Sequence, residues 1–148
     1  MTLQPIRTDK DSRKNFFVAE ISSFGELGEL APNSASFGLL VACDASKLSA
    51  DLIGQVADKL YARGLSYLCT WGPDCERVHD VFDEAGVISQ QFAMTTWHDD
   101  EPLEEAAWFF INHAVPEKVE EHAWSDWIAV AVNNPEWLKD LATALQGQ

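Results

Sequence analysis

The sequence predicts an α/β fold: a single three-layer domain with a mainly parallel β-sheet of about five strands and helices on both faces. Three observations lead there. From residue 37 onward, short β-prone runs alternate four times with amphipathic stretches. Those stretches are roughly ten to fifteen residues long, enough for crossovers, and strands joined by crossovers run parallel. The run at 37–43 is continuously apolar, as expected of a strand covered on both faces.

Residues 1–14, MTLQPIRTDKDSRK, are polar and mixed in charge, and are expected to form a flexible arm ahead of a domain spanning 15–148. NFFVAEIS at 15–22 is aromatic and β-branched enough for a first strand, expected at a sheet edge in either direction. Residues 24–36 carry two Gly-Glu-Leu copies, too short to be a structural repeat, and then Pro32. They read as a loop with room for one helical turn. FGLLVAC at 37–43 is a strand ended by Asp44. Ser49 is an N-cap for a helix to Arg63, with Leu52, Ile53, Val56 and Leu60 at helical spacing and Gly64 as its left-handed stop.

LSYLCTW at 65–71 is a buried strand leading into a Gly-Pro turn. Asp74 is placed to cap the helix that follows, Val78, Val81, Phe82 and Ala85 form its buried stripe, and Gly86 closes it. Residues 92–97 form the next strand. Asp100 or Glu101 caps a further helix, because Pro102 disfavours a helical residue before it. Leu103, Ala106, Ala107, Phe110 and Ile111 share one face of that helix, which runs to about His113. Trp108 and Phe109 fall outside the stripe, so they need another packing partner or another molecule. Residues 115–125 read as a charged connection with room for a helical turn. WIAVAV at 127–132 is the last strand. Asn134 and Pro135 then open a closing helix with Leu138, Leu141, Ala142 and Leu145 inward.

At 148 residues and 47% hydrophobic content, with six Trp and eight Phe, the chain can bury a core as one domain. No apolar run approaches the roughly 20 residues of a membrane span, and the N-terminus has no hydrophobic signal core, so a cytoplasmic location is expected. Cys43, Cys69 and Cys75 lack disulfide or zinc spacing and read as reduced thiols. The net charge is −14, and residues 15–148 alone carry six basic against twenty-two acidic side chains. Such a surface repels nucleic acid and anionic lipid, whose binding is driven by basic contacts. It suits either simple solubility or a basic protein partner.

If the sheet is parallel, Asp44, residues 71–75 and residues 97–101 all leave its carboxyl edge, where open α/β folds usually meet ligands. There is no Gly-rich phosphate loop. A bare carboxylate about 6 Å from a phosphate costs roughly 2 to 3 kcal/mol at an effective dielectric near 20, against about 0.3 to 1 kcal/mol from a helix N-terminus. Unassisted phosphate binding is therefore not expected. Asp44, Asp74, Asp99 and His98 are candidate ligands for a divalent metal, if the separate strand ends converge. Cys75 in a first helical turn, with His98 as base and Asp74 beside it, is a candidate catalytic set. The same acids serve equally as helix caps, and Trp71 and Trp97 equally as lids over the core or as a ligand floor. His79, His113 and His122 read as packed or solvated side chains.

The phrases WGPDC at 71–75 and MTTWHDDEPLEEAAWFF at 94–110 resemble those of a widespread uncharacterised family of small bacterial proteins, in which the second phrase has the form MTTWHxDEPLEE. The resemblance covers about residues 37–113. It implies a bacterial source and a compact cytosolic domain. With no reaction assigned to that family, it carries over no catalytic residue. The N-terminal arm and the C-terminal strand and helix lie outside it.

Two functions from different classes follow. The first is a non-enzymatic acidic binding protein that neutralises or regulates a basic protein, of which an immunity protein against a nuclease-type toxin is one form. It needs no cofactor, and it would use Asp99, Asp100, Glu101, Glu104 and Glu105 for charge and Trp108 and Phe109 as anchors. The second is a small metal-assisted hydrolase working through Asp44, Asp74, Cys75, His98 and Asp99. It requires Asp74 and His98 to share one pocket. The oligomeric state cannot be read from the sequence.

Overall fold

The repeated strand-helix order from residue 37 builds the molecule as expected, and the N-terminal residues add to it. The computed structural model describes residues 1–115 and 123–147. Its strands are β1 (Gln4–Asp9), β2 (Lys14–Ile21), β3 (Phe37–Ala42), β4 (Leu65–Trp71), β5 (Met94–His98) and β6 (Ser125–Val132). Its helices are α1 (Ala50–Ala62), α2 (Cys75–Ser89), α3 (Leu103–Asn112) and α4 (Pro135–Leu145), with a 3₁₀ segment at Phe24–Glu29. The described strands form one sheet in the order β1-β2-β6-β3-β4-β5. Every pairing is parallel except β1 with β2.

Alternation along the central strands divides two cores. Leu39 and Val41 of β3, with Ile128 and Val130 of β6, pack under α1, α2 and the 3₁₀ segment. Leu40, Ala42, Trp127, Ala129 and Ala131 pack under α3 and α4. Both faces of β3 and β6 are buried, which is why these strands lack polar alternation. Where they pair, Gly38 lies opposite Trp127, and a Cβ on Gly38 would stand 2.2 Å from the indole. The large side chain is accommodated because its neighbour has none.

Two expectations at the N-terminus are corrected. Residues 4–9, expected in a flexible arm, form an edge strand antiparallel to β2. The reversal is fixed locally: the Asp9 carboxylate accepts from Ser12 Oγ at 2.8 Å and from the Asp11 N–H at 3.1 Å, and Arg13 takes a left-handed conformation. The strand at 15–22 is consequently not an edge, since β1 covers one side and β6 the other. The sheet therefore has six strands where about five were expected.

Helix ends follow the sequence where a side chain can reach its backbone. Ser49 Oγ accepts from the Leu52 N–H, and Asn134 Oδ1 from the Trp137 N–H. Gly86 does not close α2, which continues to Ser89 with Gln90 left-handed beyond it. Gly86 instead leaves room for Tyr61, whose hydroxyl donates to the Phe82 carbonyl at 2.9 Å. β5 starts at Met94, two residues later than expected, with Phe92 exposed before it. Most of the connection expected at 115–125, and His122 within it, lies outside the described residues.

Candidate functional site

β4 and β5 are neighbours and run parallel, with Trp71 opposite His98. The turn after β4 and the loop after β5 therefore leave the sheet side by side. Trp71, Gly72, Pro73 and Asp74 line one shallow hollow with residues 98–102. Gly72 has φ +112°, and a Cβ there would sit 2.1 Å from the Cys43 carbonyl oxygen, so the turn requires glycine.

The two tryptophans do not form a common floor. Trp71 Nε1 donates to the Glu101 carbonyl at 2.8 Å and its ring meets Trp137 edge-on at 5.1 Å, closing the end of the core. Trp97 lies against His79 at 4.5 Å and remains 42% exposed.

Asp74 and Asp44 are each engaged by a neighbour in sequence. Asp74 stands at the N-cap position of α2 but is left-handed, so its carboxylate does not cap the helix. It accepts from Arg77 Nε at 2.8 Å, and Arg77 also donates to the Ala45 carbonyl, on the α1–α2 side of the sheet. Asp44 accepts from the Ser46 hydroxyl and N–H, which hold its carboxyl below the usual range. It lines a different hollow, with Ser22, Ser23, Asn133, Asn134 and Trp137. Neither Asp100 nor Glu101 caps α3. Pro102 takes the N-cap position and has no side-chain acceptor to offer.

His98, 8% exposed, turns to the α3 side. Its Nδ1 meets Glu101 Oε1 at 2.5 Å, its Nε2 meets Thr96 Oγ1 at 2.8 Å, and its ring packs on Phe109 at 4.8 Å. Both ring nitrogens are engaged. Cys75 is 1% exposed, and burial pushes its thiol up, away from the reactive thiolate. Cys75, His98 and Asp74 are thus near one another along the rim without forming a nucleophile, base and orienting acid. Among the described residues no group of three His, Cys, Asp or Glu side chains is placed to hold a metal.

The acidic and aromatic residues of α3 do come together. Glu101, Glu104, Glu105, Trp108 and Phe109 line, with His98, a hollow of about 520 Å³. It shares Glu101 and His98 with the hollow that contains Asp99 and Asp100. Phe109 is half-buried against Tyr67, His98 and His113, so the fold itself supplies its partner. Trp108 has His113 at 4.7 Å on one side and is otherwise 56% exposed. A second hollow, about 400 Å³, opens on its other flank beside Arg7, Ile111 and Lys139.

The profile of a protein family described as a domain of unknown function, DUF7684, matches residues 18–148. The chain belongs to this family. The match runs through β6 and α4, so the C-terminal strand and helix are part of the family's domain and only the first residues lie outside it. No curated protein matches the chain.

Some features of this chain escape sequence reading. The His98–Glu101 contact spans three residues across a loop whose path depends on Pro102, and spacing alone does not reveal it. The hollow beside Asp44 lies between β2, β6 and β3, where the loop after β3 leaves for one face and the loop after β6 for the other. Only the strand order places Ser22, Ser23, Asn133 and Asn134 there, at the kind of crevice where such sheets bind ligands.

Proposed function

We propose that this chain is a non-enzymatic acidic binding protein whose α3 face docks on a basic protein and thereby neutralises or regulates it. An immunity protein against a nuclease-type toxin in a bacterial cytoplasm is the concrete form of that reading. The observation that supports it is Trp108, exposed between two hollows and flanked by acids. No salt bridge joins Asp99, Asp100, Glu104 or Glu105 to a cation among the described residues. The chain's own cations are partly consumed inside: Arg7, Lys14, Arg63 and Arg77 all donate to its own carbonyls.

The two residue types do different work. Each exposed carboxylate paired with a Lys or Arg contributes only about 0.2 to 1 kcal/mol, so the acids chiefly steer and accelerate encounter. A tryptophan buried on binding contributes about 2 kcal/mol or more and sets the lifetime of the complex. The hydrolase alternative has less support: Asp74 and His98 do line one shallow hollow, but Asp44 lines another, both ring nitrogens of His98 are engaged within the fold, and Cys75 is buried.

The test is affinity capture from the host with three baits: the wild-type chain, Trp108→Ala, and Glu104→Lys with Glu105→Lys. The expected result is a basic protein retained by the wild type, released by salt and lost from both variants. Retention of nothing, or equal retention by all three, contradicts the reading.

A further inference from the structure

The two edges of the sheet are built differently. β1 carries Pro5, which has no N–H to offer, and its register shifts between Pro5 and Arg7. Arg7 and Asp9 add charge there. Proline, bulges and charge are the devices that keep an edge strand from pairing with another chain. β5 has none of them. Its register against β4 is regular, it contains no Pro, Lys, Arg, Asp or Glu, and no described strand pairs with its outer side.

The surface around β5 is mainly apolar, and the carboxylate that reaches the strand, that of Asp83 on α2, accepts from the Thr95 hydroxyl. No Asp, Glu, Lys or Arg occurs from Ala85 to Trp97, in a chain that is 23% charged. Val87 and Ile88 at the end of α2, Phe92 in the loop, and Met94 and Trp97 on β5 are all exposed. Summed over both faces of this edge, they leave on the order of 500 Å² of apolar surface. With the main-chain strip it approaches the roughly 800 Å² per partner of a stable interface.

We infer that β5 pairs edge to edge with the β5 of a second copy, antiparallel about a two-fold axis perpendicular to the sheet, making one continuous sheet across a dimer. The occupant is a second copy because the strip is complementary to itself. Residues directly opposite in an antiparallel pair share a face, so the axis must pass through a residue. Centred on Thr96, it sets Thr96 opposite Thr96, Thr95 opposite Trp97 and Met94 opposite His98. Centred on Thr95, it sets Met94 opposite Thr96 and Ala93 opposite Trp97. In either register the first carboxylate of the segment itself, Asp99, falls opposite Ala93 or Gln91, so within the paired strands no acid lies opposite an acid, and the nearby Asp83 carboxylate is held by Thr95 on the α2 side. Two copies of a −14 chain repel each other, and this segment adds no opposed acids of its own to that repulsion. The strip lacks the run of acids that lines the α3 face, and the two surfaces are distinct. The same axis turns both α3 faces to one side of the extended sheet.

The experiment is sedimentation equilibrium of the full chain over a wide concentration range, at about 0.15 M salt and above, where the screening length is about 8 Å or less. The expected species has twice the 16.5 kDa chain mass. Met94→Lys, at an exposed position, is expected to sediment as a monomer with an unchanged circular dichroism spectrum. Independently, one of Thr95→Cys and Thr96→Cys is expected to form a disulfide-linked dimer under mild oxidation. A self-paired position brings its two Cβ atoms close enough to bridge, and the three native thiols are buried. A monomer at every concentration overturns the inference and leaves the edge to a strand of another protein. A dimer that Met94→Lys leaves intact, with neither cysteine variant cross-linking, overturns it as well.

Discussion

Lys14 has its ammonium group under α3, 2.8 Å from the Ala114 carbonyl, 3.2 Å from that of Ile111 and 4.0 Å from the centre of the Trp127 ring. Burial lowers its pKa from the ordinary 10.5 to about 8. Lys14→Met keeps the apolar stem and leaves those carbonyls without their donor, a loss of about 1 to 3 kcal/mol in urea unfolding near pH 7. The sign with pH follows from proton counting. Between about 8 and 10.5 the unfolded chain holds a proton that native Lys14 has released, so this residue's contribution rises with pH in that window. The gap between wild type and Lys14→Met should therefore widen from pH 7.5 to 9.5. The thiols act oppositely. Burial pushes Cys43 and Cys69 from 9.0 to about 12, so their contribution is complete below 9 and is lost as pH rises toward 12. Native protein at pH 8 should leave all three cysteines unreactive to a thiol reagent, and stability should fall above pH 9. At this scale the sequence reveals caps that need only one side chain and one turn, such as Ser49 and Asn134. It misleads at Asp74, where a left-handed backbone takes the carboxylate away from the helix it was expected to cap.

Among elements, the crossovers were legible because hydrophobic period and length together separate strands from helices, and β3 to α4 follow in the expected order. Strand order was not legible. β6 enters between β2 and β3; the apolar side chains on its two faces call for helix layers above and below, and nothing local says which strands flank it. β1 was missed since its polar edge residues read as an arm, and only its hairpin with β2 gives them structure. A close fit between two strands is that of Gly38 against Trp127. Gly38→Ala should destabilise by about 1 to 3 kcal/mol through overpacking, measured by thermal or urea unfolding, and Trp127→Leu in the same chain should recover part of that loss. Recovery would show that the indole, and not backbone freedom at residue 38, makes glycine necessary.

For the whole molecule, charge and shape point to one face. The candidate partner residues named from sequence, Trp108 and Phe109 with the five acids from Asp99 to Glu105, lie along one stretch of surface because a single loop and helix carry them. The catalytic and metal candidates came from separate strand ends, and of these Asp74, His98 and Asp99 share one shallow hollow while Asp44 lines another. Trp108→Ala should change folding stability by no more than about 0.5 kcal/mol, as for an exposed side chain, while shortening the lifetime of any complex. Replacing Glu101, Glu104 and Glu105 by Gln should instead slow association and flatten its salt dependence. The most direct measurement is amide hydrogen exchange of the chain alone and with the basic protein it retains. Protection confined to residues 99–112 is the predicted result. Protection at the Asp44 hollow or elsewhere, with 99–112 unchanged, would contradict it.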